Sequence, residues 1–179
     1  MHPALLATAV TLMPVVSDAP APKPGTITIV AGGTQTATDP VVATFVGAVS
    51  HAVLQTGFAP LPDTGHSRYV AKVEVSQTSR GVVTSSGNGS ASAPGVNYQG
   101  SGLSLSLPSG KRQLHGLVVT RLDVIVTLRS DGQIVWSGTA TTARVDGTRA
   151  GAPATVAAAL SEALFARFPR PLPGPLSVP

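Results

Sequence analysis

Residues 114–129 read LHGLVVTRLDVIVTLR, followed by Ser130-Asp131-Gly132 and then QIVWSGTATTARV over 133–145. Two residue sets alternate through the first run. Val118, Thr120, Leu122, Val124, Val126 and Leu128 fall on one face, and Val119, Arg121, Asp123, Ile125, Thr127 and Arg129 on the other. A sustained period of two is the signature of a strand buried on one side. Asp131-Gly132 has the chemistry of a tight hairpin turn. The second run is then the returning strand, with Ile134, Trp136, Gly138 and Ala140 expected on one face. Arg121 and Asp123 sit side by side on the second face as a candidate surface ion pair, worth about 0.2–1 kcal/mol if exposed.

Working upstream, residues 68–78 (RYVAKVEVSQT) alternate in the same way. Tyr69, Ala71, Val73 and Val75 share the apolar face. Between this strand and the decisive one, Ser and Gly fill 14 of the 27 positions of 84–110, and no charge lies between Arg80 and Lys111. Such composition cannot bury enough apolar surface to order itself alone. The insert, at about 80–110, reads as a long hairpin excursion in which Leu103, Leu105 and Leu107 alternate with serines as a candidate edge strand. Further upstream, Asp39 is a good N-cap and Pro40 suits the first helical position. Val42, Phe45, Val46, Val49, Ala52 and Val53 recur at helical spacing, and Gly57 follows as terminator, so 40–56 is expected to be an amphipathic helix. Residues 26–30 (TITIV) are a β-branched strand.

Downstream, Pro153 opens a second, alanine-rich helix to about Arg167, with Val156, Leu160, Ala163, Leu164 and Arg167 as its stripe. Pro169 stops it. Five prolines in the last eleven positions predict an extended, mobile tail at 170–179. The order β-α-β-(β)-β-β-α predicts an α+β fold: a mainly antiparallel sheet of four to five strands with two helices packed on one face.

The first residues carry a different signal. Residues 4–16 (ALLATAVTLMPVV) have the length of a signal-peptide core, and the small residues of 17–21 offer cleavage sites. The organisation expected is therefore a signal peptide over 1–21, a linker over 22–25, one α+β domain over 26–169 and the tail. This places the protein in the periplasm or outside the cell. The alternative is a short buried N-terminal segment.

Composition narrows the function classes. The chain has 179 residues, 42% of them hydrophobic but only 11% charged, and no cysteine. That excludes disulfides, thiolate metal sites, cysteine nucleophiles and a lipid-modified cysteine anchor. No apolar run reaches the roughly 20 residues of a membrane-spanning helix. The net charge of +4 comes from scattered residues, nine of the twelve cations being Arg, with 4% aromatics. No basic strand carries stacking rings, so a nucleic-acid partner is not expected.

Catalytic patterns are also missing. Ser101 lacks the outer glycines of a nucleophile elbow, and Gly110-Lys111 lacks the rest of a phosphate loop. His2 leaves with the signal. His51 reads as a packed or rim residue of the first helix, and His66 and His115 have no ligand at metal-binding spacing. Among the carboxylates, Asp39 is explained by capping and Asp131 by the turn. Asp63 and Asp146 read as loop residues, and Glu74, Asp123 and Glu162 as solvent-face residues. Asn88-Gly89-Ser90 is a sequon of the kind that arises by chance in Ser/Gly-rich sequence, and Trp136 reads as a core anchor. Catalytic, cofactor and metal residues are accordingly expected to be none, and the protein is not expected to be an enzyme. A hydrolase would need a Ser/His/Asp site assembled around His66 or His115.

The strand 69–75, the glycine-rich excursion, the strand 121–128, the Asp-Gly turn, the phrase Ile134-Val135-Trp136-Ser137-Gly138 and the closing Arg167-Phe168-Pro169 resemble a family of small bacterial envelope proteins of unknown function, over about 68–169. Many of its members are lipoproteins, and this chain lacks their cysteine. The element order is also similar to the amino-terminal domain of the translocation protein TolB and to the lipopolysaccharide-assembly lipoprotein. The resemblance implies a non-enzymatic docking or assembly module with an envelope protein partner. The alternative expectation is a periplasmic small-ligand or glycan-binding protein using a cleft between helices and sheet.

Overall fold

The computed structural model describes residues 21–62, 66–84 and 114–179, with 81–84 and 114–115 described as backbone only. The expected signal over 4–16, the candidate edge strand at 103–107, and His2, Asp63, Asn88 and Ser101 lie outside the described residues.

The fold is α+β. Its elements run β1 (Thr26–Ala31), α1 (Pro40–Leu54), β2 (Ala59–Pro60), β3 (Tyr69–Thr84), β4 (Leu114–Leu128), β5 (Ile134–Val145), α2 (Pro153–Phe165) and β6 (Leu176–Ser177). They form one six-stranded sheet in the order β2-β1-β3-β4-β5-β6. The centre, β3-β4-β5, is antiparallel, while β1 runs parallel to both β2 and β3, and β6 parallel to β5. The sheet thus has more strands than the four to five expected. The two extra ones are two-residue pieces, too short to show any periodicity. The parallel β1–β3 pairing follows from α1, because parallel neighbours need a crossover between them.

Local signals account for both helices. Asp39 caps α1, accepting from the Val41 and Val42 amides at 2.8 and 3.4 Å. The helix ends two residues short of the expectation, and Gly57 follows at φ 84°. In α2 the buried stripe is Val156, Ala157, Leu160, Ser161, Leu164 and Phe165. It is rotated from the expected one, so Ala163 is only partly buried and Arg167 is exposed.

Both helices bury their stripes against one face of the sheet. Ala71, Val73, Leu122, Val124 and Val126 are fully buried against Phe45, Val49, Leu160 and Leu164. One end of this layer is aromatic: Phe58, Tyr69, Trp136, Phe165 and Phe168 meet with neighbouring ring centroids 5.0–5.7 Å apart. Trp136 lies across Gly138, where a Cβ would fall 2.6 Å from the indole. The expected grouping of Ile134 with Trp136 fails. The register shifts between Val126 and Thr127, so Ile134 opposes Thr127 while Trp136 opposes Val126. This bulge leaves Ile134 exposed and Val135 buried.

Within the proline-rich tail, Leu176–Ser177 are extended as β6. The tail does not run free. Residues 170–179 lie along the outer edge of β5, tied by several hydrogen bonds.

Candidate functional site

Three features of the described surface stand out: the uncovered sheet face, the β3 edge and a groove between the helices. Among the described residues, no element covers the face opposite the helices. Lys72, Glu74, Ser76, Arg121, Ile125 and Ser137 are exposed there. Alternation puts them there, since each follows or precedes a core residue in its strand. At its centre, Arg121 grips Asp123 with two bonds, Nε to Oδ2 at 2.7 Å and Nη2 to Oδ1 at 2.9 Å. Thr139, across on β5, donates to the same carboxylate at 2.6 Å. Burial pushes the Asp123 carboxyl up. The bonds from Arg121 and Thr139 and the guanidinium charge outweigh it, and the group ends below its ordinary value. Arg121 is raised by the same bond and charge. The expected surface pair is therefore present, and it fixes the chemistry of the middle of the face.

The edge of β3 is the second feature. β1 pairs with β3 only as far as Ala31↔Val73. Beyond it the side-chain amide of Gln35 brackets Val75, donating to its carbonyl at 2.6 Å and accepting from its amide at 2.9 Å. The amide thus extends the ladder by one residue. From Ser76 onward β3 pairs with β4 alone among the described residues, with a bulge between Ser79 and Val82. Ser76, Gln77, Thr78, Ser79 and Arg80 are all exposed. Such an edge presents backbone donors and acceptors to an incoming strand.

The third feature is a groove of about 480 Å³ where the C-terminal ends of both helices meet. His51, Ala52, Gln55 and Thr56 come from the α1 end, and Glu162, Phe165, Ala166 and Phe168 from the α2 end. His51 and Glu162 are exposed at its rim, over an apolar floor. This hollow lies between the ends of the two helices, a different place from the helix–sheet cleft of the alternative expectation.

The remaining weighed residues are dispersed. Asp131 accepts from the Gln133 amide and Asp146 from the Gly147 amide, both within turns. Glu74 leans over Gly32 and Gly33. His66 is exposed in the connection before β3, and His115 lies on β4. Among the described residues, no three of His, Asp and Glu gather into a metal-holding group, and no helix is long and apolar enough to cross a membrane. Sequence reasoning missed Gln35 and the groove.

No family model matches the chain, and no curated protein matches it. Among solved structures it is similar to PelC from Paraburkholderia phytofirmans, a dodecamer seen in two crystal forms. In one the identity is 14%, covering 82% of this chain and 91% of that one; in the other it is 16%, covering 81% and 88%. The TM-score is 0.42 in both, too low to carry an argument about this chain.

Proposed function

We propose that this protein is an exported, non-enzymatic docking module that holds a cell-envelope partner against the open side of its sheet. The observation that supports it is the pairing of an uncovered face with the β3 edge beyond Val75, where the described residues leave backbone groups ready for strand addition. Export rests on the apolar stretch and small residues of 4–21.

The test is a native gel of envelope extract from the source cells, with Ser76→Lys and Thr78→Lys compared with the unaltered chain. Lysine on an edge discourages strand addition without disturbing the buried face. The expected result is migration in a complex that both substitutions dissolve while the purified variants keep their fold. A complex that survives both overturns the reading.

The groove favours a second reading, a small ligand seated between the helix ends. Its size falls within the roughly 300–1,000 Å³ of ligand sites. A thermal shift caused by an envelope metabolite and abolished by Ala52→Trp would establish it, because a ligand of the native state raises its stability.

A further inference from the structure

The segment after α2 is hydrogen-bonded to β5 in two places, joined by a proline-rich span in which Leu172 packs against the core. At the first, Trp136 Nε1 donates to the Arg170 carbonyl at 2.9 Å. At the second, Thr141 Oγ1 donates to the Leu176 carbonyl at 3.4 Å, Thr142 Oγ1 to that of Val178 at 2.7 Å, and an Arg144 Nη2 to that of Pro179. Val178 returns one bond, its amide donating to the Thr141 carbonyl at 2.8 Å. Leu176 and Val178 pack against the core. Between the anchors lie Pro171, Leu172, Pro173, Gly174 and Pro175, and a void of about 320 Å³ opens beneath the first three of them, bounded also by Ala166, Arg167 and Arg170.

β5 therefore holds the incoming chain in two ways, through a parallel backbone ladder and through side-chain donors that take its carbonyls. The side-chain donors need no amide from the occupant, which suits a chain that contains proline. The second anchor is small. Its ladder is Ala140↔Leu176 and Thr141↔Ser177. All its contacts lie beyond a span that an extended proline-rich chain carries at about 3.1 Å per residue. The same donors and apolar contacts serve whichever copy supplies residues 176–179.

We propose that the β5 edge accepts residues 176–179 from a second copy of this chain, so that two copies exchange their closing strands across the 171–175 span. Exchange of an identical element recreates every bond of the closed form at little cost, and a reciprocal exchange closes as a symmetric pair. The proposal concerns the edge opposite to the one assigned to an envelope partner and stands or falls separately from it.

The chain has no cysteine, which makes the test clean. Thr141 and Ser177 are register partners, and neighbouring strands sit about 4.8 Å apart, within disulfide reach. Full-length Thr141→Cys and Ser177→Cys chains are mixed, equilibrated and oxidised, then resolved without reductant. The expected result is a covalent heterodimer several-fold more abundant than either homodimer, and lost when Gly174→Cys, exposed and out of register, replaces Ser177→Cys. A heterodimer no more abundant than the homodimers, or equally abundant with Gly174→Cys, overturns the proposal. The buried emission of Trp136 reports that each variant is folded.

Discussion

The two faces of the sheet are built from the same strands and differ in almost everything else. On the helix side Ala71, Val73, Leu122, Val124 and Val126 are fully buried. One residue away along the same strands, Lys72, Glu74, Arg121 and Ile125 meet solvent. The lesson is that burial, not strand propensity, divides the two faces: the covered face carries stability, and the other is the face on which docking is proposed. Ile125 makes the point, being as apolar as its neighbours Val124 and Val126 yet 36% exposed.

Four substitutions sharpen or break this contrast. Leu122→Ala should cost about 2–5 kcal/mol, by lost burial and by the cavity left. Ile125→Ala, three positions along the same strand, should stay within about 0.5 kcal/mol. Urea midpoints at unchanged slope measure both, and equal costs would break the two-face account. Gly138→Ala comes next, at about 1–3 kcal/mol, because its Cβ meets the Trp136 indole at 2.6 Å and a Leu164 methyl at 2.9 Å. A shift in Trp136 emission should accompany it. Ser161→Ala should act in the other direction. The Ser161 hydroxyl is fully buried in α2 and has no hydrogen-bond partner among the described residues, so removing it should raise stability by about 1 kcal/mol; a loss would show that the hydroxyl is satisfied.

A fifth substitution, on the open face, is small at neutral pH and is read by its pH dependence. Asp123→Asn should cost under about 1 kcal/mol at neutral pH. The native carboxyl lies below its ordinary value. Its contribution is therefore present above the ordinary carboxylate range, about pH 4, and is lost as the pH falls through the lower native value. The unaltered chain should lose this increment across that window and the Asn variant should not. Parallel acid profiles for the two would contradict the assignment.

Much of this contrast was legible in the sequence. Alternation alone placed Arg121 and Asp123 together on the outer face and Leu122 and Val124 inside, and the Asp39-Pro40 pair located the start of α1. What stayed hidden depends on contacts between distant segments. The register shift opposite Val126 turned Ile134 outward, and no local pattern announces a bulge. Gln35 has meaning only once β1 has ended beside Val73, leaving Val75 to its side chain. β2 and β6 are two residues each, set by pairing and not by period. The groove requires two helix ends, far apart in the chain, to meet.

The most direct measurement of the docking claim is site-specific photo-crosslinking in the source cells. A photoreactive residue is placed in turn at Thr78 on the β3 edge, at Ile125 on the open face, and at Leu54, which is 53% exposed at the end of α1. The account predicts an adduct of one discrete mass, shared by positions 78 and 125, recovered in the envelope fraction and absent from position 54. No adduct from the open side, or the same adducts from position 54, would contradict it.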